Sequence, residues 1–406
     1  MPHLRHRHAS HLIDKLLGFS PLVGVLGHRQ VGKTTLLEKH TTRYATLDIA
    51  SDLKSANTES AEFLQKLAPK KGETTGIDET QLSPPLFPAL KEWVRVHKRP
   101  GQFLLSGSVR FTSRSAIRES LTGRIVNIEL YPMVLSELEV RELPNIVSLA
   151  LSNSSLTDLA RAPSVSAKNH VKRNHLIDLY YIQGGLPGVC FIRDDKIRSL
   201  KILEQIRTVL DRDIRLIQKT NLSYSDIFTL CQALAEEQGE PIDYSSLQAT
   251  TGISVPTIKK LIYALEALFI IRTISIEGGR KGFTLYFEDM GEFSIFNRNK
   301  SSAKEKLTHF CFCHLRAQTD YRLGSQVLTF QYRTRGGAVV PLAYRGPSGT
   351  LGIIPIDSSE EAARAIPTAN SFLKSNSGAK VLLVHRGTEK RLIQDNILLM
   401  PVTEIV

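Results

Sequence analysis

Cysteine is scarce in this sequence, with four in 406 residues. Cys190 and Cys231 stand alone among apolar neighbours, while Cys311 and Cys313 form a C-x-C pair close to two histidines. Zinc sites usually need a second pair of ligands at C-x₂-C or H-x₃-H spacing, and none is present here. In a strand the paired cysteines would share one face, as neighbouring core residues do. We therefore predict buried thiols rather than a metal site.

Long hydrophobic runs are missing as well. No uninterrupted apolar stretch reaches the roughly 18 residues of a membrane span, so no membrane partner is expected. The segment 1–11 is basic and histidine-rich, and no apolar core with a small-residue cleavage site follows it, as a signal peptide would require. Hydrophobic residues make up 42% and charged residues 23% of the chain, the balance of a globular protein. We expect a soluble, cytoplasmic protein.

Acidic residues are in the minority. Lysine and arginine number 52 against 40 aspartates and glutamates, which gives a formal net charge of +12 and a pI near 9.5. Such a balance is typical of proteins with a polyanionic partner, most often nucleic acid. Solubility alone would explain the charge equally well, so DNA as a partner stays open.

The segment Gly27-His28-Arg29-Gln30-Val31-Gly32-Lys33-Thr34 matches G-x-x-x-x-G-K-[ST] at every fixed position. It follows an apolar run and opens a helix-like segment, the context of a phosphate-binding loop. Glycines let successive amides point at the phosphates, and the following helix adds its positive end. We predict that Gly27 to Thr35 bind ATP, with Lys33 on the β- and γ-phosphates and Thr34 on Mg²⁺. A chance glycine-rich turn is the weaker interpretation.

Two carboxylates follow a strand candidate at Ile77-Asp78-Glu79-Thr80-Gln81. In a P-loop ATPase Asp78 would hold Mg²⁺ with Thr34, and Glu79 would orient and deprotonate the attacking water. A solvated acidic turn would contain the same residues. Residues 72–76 are poor in the apolar side chains of a central strand, so we expect this strand to be frayed or less buried.

A third element is Leu104-Leu105-Ser106-Gly107-Ser108, where a small polar residue ends another strand candidate. If this strand lies between the phosphate loop and the acidic pair, Ser108 can sense the γ-phosphate. A simple strand-ending turn would have the same sequence, and the spacing does not distinguish the two interpretations.

Together these stretches resemble one family of AAA+-like ATPases of bacteria and archaea, whose members join an ATPase domain, a winged-helix segment and a C-terminal domain. The resemblance covers nearly the whole chain, and His28 stands where the family usually has proline. Its further motifs are Tyr44-Ala45-Thr46-Leu47-Asp48, Leu121-Thr122-Gly123-Arg124, Leu130-Tyr131-Pro132-Met133, Gly184-Gly185-Leu186-Pro187 and Asp211-Arg212-Asp213-Ile214.

The resemblance also implies roles for two arginines. Arg124 and Arg212 could act on the nucleotide of their own or of a neighbouring subunit, which leaves an oligomer open. The alternative for each is a surface arginine or a structural ion pair, and for Arg212 this alternative is the stronger one.

The stretch from Tyr244 to Ile271 has the pattern of a helix-turn-helix, with a turn at Thr251-Gly252-Ile253-Ser254 and an apolar stripe on the second helix. In a DNA-binding protein this second helix enters the major groove, and Thr257, Lys259 and Lys260 would face phosphates or bases. A module used for packing or protein contact has the same pattern.

The C-terminal region resembles a PD-(D/E)xK nuclease-like domain, whose site needs clustered carboxylates for Mg²⁺ and a lysine. Val339 and Pro341 stand where the pattern has Glu and Asp, and Thr308 replaces an upstream Glu. Pro355 and Asp357 replace the Glu and Lys of Glu-x-Lys. We therefore predict that nuclease activity is absent.

These patterns predict an α/β protein of several domains. We expect a P-loop, AAA+-like ATPase domain with a parallel sheet over 1–140, a helical region with a linker over 141–221, a winged-helix-like segment over 222–278 and a degenerate nuclease-like α/β domain over 279–406. The predicted function is a Mg²⁺-dependent ATPase, a hydrolase that couples turnover to domain movement on DNA or another protein. The alternative is a nucleotide-gated regulatory or DNA-binding module with negligible hydrolysis.

Overall fold

A computed structural model describes residues 5–111, 123–152, 154–279, 281–297 and 301–406. Its strands form two sheets. The strands are β1 (Leu22–Gly27), β2 (Arg43–Thr46), β3 (Thr75–Asp78), β4 (Phe103–Gly107), β5 (Ile125–Leu130), β6 (Ile271–Glu277), β7 (Gly282–Phe287), β8 (Leu328–Arg333), β9 (Val339–Gly346), β10 (Gly349–Pro355), β11 (Lys380–His385), β12 (Arg391–Gln394) and β13 (Ile397–Pro401).

The helices pack against both sheets and form the region between them. They are α1 (Ala9–Leu17), α2 (Lys33–His40), α3 (Ala50–Thr58), α4 (Ser60–Lys66), α5 (Leu86–Val96), α6 (Leu135–Leu138), α7 (Ile146–Leu151), α8 (Leu156–Arg161), α9 (Ala167–Gln183), α10 (Asp195–Thr208), α11 (Ile214–Ile217), α12 (Tyr224–Glu236), α13 (Tyr244–Thr251), α14 (Val255–Ala267), α15 (Met290–Asn297), α16 (Ala303–Leu323), α17 (Ala362–Ser375) and α18 (Val402–Ile405). A π-helical segment, Val209–Asp213, joins α10 to α11. None of the described helices is both long and apolar enough to cross a lipid bilayer.

The first sheet has the strand order β2-β3-β4-β1-β5, and all its pairings are parallel. β1 is buried along its whole length between β4 and β5, as its uncharged sequence allows. Parallel strands end at the same edge of a sheet, so the segments that follow β1, β3 and β4 meet there. The predicted α/β architecture, with a parallel sheet followed by a helical region and a mixed C-terminal sheet, is confirmed.

The expectation that β3 is frayed is wrong. All four residues of Thr75–Asp78 are buried, and the strand lies between β2 and β4. The Thr75 hydroxyl donates to the Leu67 carbonyl at 2.8 Å, and the absence of a side chain at Gly76 leaves room for Thr41. The local composition gave the wrong expectation because tertiary contacts hydrogen-bond the Thr75 hydroxyl and fill the space at Gly76.

The second sheet has the order β12-β13-β11-β10-β9-β8-β6-β7. Its β6–β7 hairpin spans the predicted domain boundary between residues 278 and 279, and β6 also pairs in parallel with β8. The C-terminal sheet is therefore continuous with the hairpin that follows α14, and the chain has no structural break at this boundary.

Cys311 and Cys313 lie in the helix α16 rather than in a strand, and the prediction of buried thiols is confirmed. A capping box of Ser302 and Glu305 starts this helix, and α16 is buried on nearly all sides, which removes the amphipathic period that identifies a helix in sequence. Both thiols are free and buried, and burial raises the pKa of Cys311 to about 12.

The turn after α9 is a point of close backbone contact. The Gly185 amide donates to Asp289 Oδ2 at 2.7 Å, and its carbonyl accepts from the Met133 amide at 2.7 Å. The Tyr180 hydroxyl donates to the Met133 carbonyl at 2.9 Å. One glycine thus joins the end of the first sheet to the segment that follows β7.

We expect Gly185→Ala to lower the free energy of unfolding by roughly 1–3 kcal/mol. A Cβ at this position would collide with the Met133 carbonyl and the Tyr180 hydroxyl. Thermal and urea denaturation followed by circular dichroism measure the change. Gly336→Ala is the control, because a Cβ there meets only Thr334 Oγ1 at 3.9 Å; equal destabilisation by the two variants would contradict the expectation.

Candidate functional site

The phosphate loop has two left-handed residues, Gln30 with φ 60° and Gly32 with φ 97°. Left-handed residues of this kind are typical of backbone nests, in which successive amides face one concavity that suits an anion. α2 begins at Lys33, directly after the loop, so the positive end of its helix dipole is at the same place. The local geometry therefore suits phosphate groups.

Lys33 is buried at the base of this loop, with 4% of its surface exposed. Its ammonium group donates to the carbonyls of His28 at 3.0 Å and Gly27 at 3.2 Å. Burial lowers the pKa of Lys33, and the nearby carboxylates of Glu79 and Asp78 only partly offset this. Lys33 is thus a cation held within the loop by carbonyl groups alone.

The carboxylate of Asp78 accepts hydrogen bonds from three hydroxyl groups. Thr34 Oγ1 and Tyr44 Oη donate to Oδ2 at 2.6 and 2.8 Å, and Ser106 Oγ donates to Oδ1. A hydroxyl and a carboxylate side by side form the hard oxygen set that Mg²⁺ prefers. The residues present therefore fit the predicted metal position of Thr34 and Asp78.

Glu79 follows Asp78 in a left-handed conformation, with φ 55°, which is costly for a residue with a side chain. Its carboxylate accepts from Ser108 Oγ at 3.1 Å and from the Gln81 amide, which also donates to Ser108 Oγ at 3.0 Å. Ser108 thus lies beside Glu79, because β3 and β4 are neighbours in the sheet and these residues follow the ends of the two strands.

Three residues around the acidic pair were missed in the sequence: Tyr44, Ser106 and Gln81. Ser106 had a usable signal, since it lies two residues before Ser108 and so on the same face of its strand. Tyr44 lies in β2, beside β3, and only knowledge of the strand order places its hydroxyl on Asp78.

Arg7 is a further missed residue, in a segment that the sequence marked only as basic. Its guanidinium is buried and donates to the carbonyls of Val31 and Tyr131, each at 2.6 Å, and to Glu137 Oε1 at 3.2 Å. The amino-terminal segment is therefore held against the outer side of the phosphate loop.

Two side chains of the loop contact carboxylates from the helical region. His28 Nε2 lies 3.1 Å from Glu292 Oε2, and both side chains are almost fully buried. Burial opposes the charge on His28, but the Glu292 carboxylate outweighs it, so the pKa of His28 is raised. Arg29 Nη1 lies 2.9 Å from Asp213 Oδ2. The loop is thereby tied to α15 and to the π-helical segment.

The loop borders a cleft of about 1140 Å³. The residues of the loop and α2 that line it are Gln30, Gly32, Lys33, Thr34 and Thr35. Glu79, which follows β3, lines it as well. Val31 packs instead into the hydrophobic core, and His28 faces Glu292. Pro187, Phe191 and Ile192 also line the cleft, together with Arg5 and Arg7. The cleft offers cations, the carboxylates of Glu79 and Glu38, and apolar side chains.

Arg124 lies at the end of the sheet opposite to the phosphate loop. It precedes Ile125, which pairs with Leu22 at the start of β1, whereas Gly27 pairs with Leu130. At about 3.3 Å per residue the separation along the strands is roughly 16 Å. Arg124 is therefore remote from the phosphate loop along the sheet, and its action on the nucleotide of its own or of a neighbouring subunit stays a prediction. Leu121 and Thr122 of the same motif lie outside the described residues.

Arg212 forms an ion pair with Asp213 Oδ1 at 2.9 Å and is otherwise largely exposed. This is the structural pair that the sequence favoured for it. Asp213 therefore has an arginine on each oxygen, one from the π-helical segment and one from the phosphate loop.

Comparison with known families assigns two segments of the chain. Residues 20–139 match the AAA domain, and residues 174–291 match a domain of unknown function, DUF8612. With the loop geometry, the first match defines residues 20–139 as a P-loop domain of the AAA class, which confirms the AAA+-like prediction at that level. The winged-helix and nuclease-like segments stay predictions.

Individual relatives add little on activity. Uncharacterized proteins of Mycobacterium tuberculosis and Mycobacterium bovis are each 24% identical over 274 residues, which covers 67% of this chain and 54% of theirs. The chain thus spans about half the length of these curated relatives. A Walker-type ATPase of Pyrococcus abyssi has a TM-score of 0.42 and 14% identity over 71% of this chain and 94% of its own. A signal transduction ATPase of Pyrococcus horikoshii has a TM-score of 0.26 and 14% identity over 77% and 47%. Such distant likenesses carry no argument on function.

The contact between His28 and Glu292 predicts a pH dependence. Because the pKa of folded His28 is raised, its stabilisation is complete below the ordinary histidine pKa and is lost as the pH rises through the raised value. We expect the free energy of unfolding of the wild type, relative to the non-titrating variant His28→Gln/Glu292→Gln, to fall as the pH rises above 7. The slope is at most about 1.4 kcal/mol per pH unit.

Denaturant titrations at several pH values measure this difference. The neighbouring Asp289, whose pKa burial and Glu292 raise to about 6, is already charged above pH 7 and does not contribute to the slope. A difference that stays constant or grows over this range would contradict a charged His28.

Proposed function

We propose that this chain binds ATP together with Mg²⁺ and hydrolyses it. The observation that carries the proposal is the Thr34 hydroxyl 2.6 Å from Asp78, at a loop whose Lys33 ammonium is buried. The arrangement places oxygen ligands for a hard cation beside a cationic nest for phosphates. The AAA match over the same residues supports this chemistry.

Each residue of the site then has a role. The backbone of Gly27 to Thr35 surrounds the phosphates, Lys33 neutralises their charge, and Thr34 and Asp78 hold the cation. When bound, Mg²⁺ polarises the phosphate oxygens. Glu79 accepts a proton from the attacking water, and Ser108 orients the Glu79 carboxylate through the hydrogen bond between them.

Arg124 acts, in this proposal, only on the nucleotide of a neighbouring subunit. Its position at the far end of β5 from the phosphate loop supports this choice. The proposal therefore includes an oligomer in which the start of β5 faces the cleft of the next copy.

We expect Lys33→Ala to weaken ATP binding by roughly 10- to 100-fold, because charged hydrogen bonds to the phosphates are lost. We expect Glu79→Gln to bind ATP normally and to lower turnover by roughly 10²–10⁴-fold, since only the proton acceptor is removed. Calorimetric titration with Mg²⁺ and a non-hydrolysable analogue measures binding, and phosphate release measures turnover.

Lys54→Ala is the matched control, because Lys54 is an exposed lysine of α3 away from the cleft. Wild-type protein that fails to bind the analogue would refute the proposal. Binding without phosphate release, with and without duplex DNA, would instead favour a nucleotide-gated module. The frayed β3 that would have supported such a module is not observed.

In this proposal Arg29 couples nucleotide binding in the phosphate loop to the helical region. Arg29 belongs to the phosphate loop and its guanidinium pairs with Asp213, so a triphosphate in the loop would compete with the Asp213 carboxylate for this group. ATP binding would release Asp213 and change how the π-helical segment packs. The loop is thus linked to the DUF8612 segment through one ion pair.

We expect Asp213→Asn to tighten ATP binding by up to about fivefold, the worth of a partly exposed ion pair, because the competitor for Arg29 is removed. Asp211→Asn is the matched control, since Asp211 pairs with Arg215 on the surface of the same segment. The same calorimetric titration measures both variants. Weaker binding by Asp213→Asn would show that Asp213 positions Arg29 rather than competing for it.

DNA as the partner rests on α14. Lys259 and Lys260 are exposed on this helix, where a helix-turn-helix protein contacts phosphates or bases. Stimulation of turnover by duplex DNA, lost on Lys259→Ala/Lys260→Ala, is the observation that would support this part of the proposal.

A further inference from the structure

A second cavity, of about 630 Å³, lies over the larger sheet. The first turn of α16, the strands β8 to β10 and the turn at residues 236–240 surround it. Thr308, Val339 and Pro341, which stand at carboxylate positions of the nuclease pattern, all line it. The three positions therefore converge, but they carry no carboxylate that could hold a metal ion.

Three buried polar atoms of side chains that line this cavity have no protein partner among the described residues: Tyr286 Oη, Gln331 Oε1 and Arg333 Nε. Tyr286 is 2% exposed and Gln331 is fully buried. Buried polar atoms are nearly always hydrogen-bonded, so an unpaired hydroxyl and an unpaired amide oxygen in one cavity indicate a ligand.

Both side chains approach Gly239. The Gln331 amide nitrogen donates to the Gly239 carbonyl at 2.7 Å, which leaves its oxygen as a fixed acceptor. A Cβ on Gly239 would lie 3.4 Å from Tyr286 Oη. Burial raises the pKa of Tyr286, so the hydroxyl stays protonated and can donate or accept.

The other walls define the shape of the ligand. Val339, Pro341 and Ile354 give an apolar surface, and Arg333, whose Nη2 pairs with Glu240, has an unpaired Nε. A bare phosphate does not match, because the deepest polar groups are neutral. A flat apolar body whose edge carries an N–H donor beside an acceptor does match.

We propose that this cavity binds an unpaired nucleobase, with its face on Val339, Pro341 and Ile354 and its edge on Gln331 and Tyr286. Amide side chains recognise base edges through paired donors and acceptors, and unpaired bases are read on such edges in proteins that bind single strands. A free nucleoside and the base of a single strand share this chemistry. The proposal is independent of ATP hydrolysis at the phosphate loop.

The test is calorimetric titration of the full chain with adenosine, guanosine, cytidine, uridine, thymidine and a mixed-sequence single-stranded DNA of about twelve nucleotides. Saturating Mg²⁺ and a non-hydrolysable ATP analogue occupy the phosphate-loop site beforehand. We expect at least one probe to bind, and Tyr286→Phe and Gln331→Leu each to weaken it by about fivefold or more. Tyr286→Phe should not lower the melting temperature, because the deleted hydroxyl has no partner in the protein.

Tyr344→Phe is the matched control. Tyr344 is fully buried and its hydroxyl is also unpaired, but it lies outside the cavity, so its removal should leave affinity unchanged. Val339→Phe fills the cavity from a half-buried position and should abolish binding.

The nucleoside and single-stranded DNA titrations together distinguish a free nucleoside from a base within a single strand as the ligand. Nucleoside binding without single-strand binding identifies a small-molecule site, and competition between the two identifies a strand-binding site. The proposal is overturned if no probe binds at millimolar concentration, or if Tyr286→Phe binds as well as Tyr344→Phe. Failure of the phosphate loop to bind nucleotide would leave this result interpretable, because Tyr286 lies in the other sheet.

Discussion

The buried contact between His28 and Glu292 is the interaction on which the arrangement of the phosphate loop depends. A buried charge that loses its partner costs roughly 3–5 kcal/mol, so neither side chain can leave the contact alone. Because His28 belongs to the loop and Glu292 to α15, the loop is fixed to the helical region from one side. Arg7 fixes it from the other side through the Val31 carbonyl. The loop therefore cannot change shape without effect on elements far away in sequence.

Much of the candidate site could be predicted because it depends on short motifs and one rule of topology. The loop motif defines Lys33 and Thr34, and parallel strands bring whatever follows them to one edge. Asp78, Glu79 and Ser108 needed no further information, and the structure places all three beside one another. The contacts within the site were less accessible, since Tyr44 and Ser106 reach Asp78 only through a strand order that the sequence does not state.

The errors share a physical origin, which is that tertiary packing overrode a local pattern. β3 is poor in apolar residues but is completed by Thr41 and Leu67 from neighbouring elements. The role of Arg124 was implied by resemblance alone, and the register of β5 places it far from the phosphate loop of its own chain.

The left-handed backbone at Glu79 has a consequence for how this protein tolerates change. Glycine or asparagine would relieve a conformational cost of roughly 1–3 kcal/mol at that position, yet the chain carries a carboxylate there. Screening for heat resistance alone would accordingly reward loss of this side chain. Stability therefore favours a different residue at this position, whereas the proton transfer proposed above requires the carboxylate that the sequence has there.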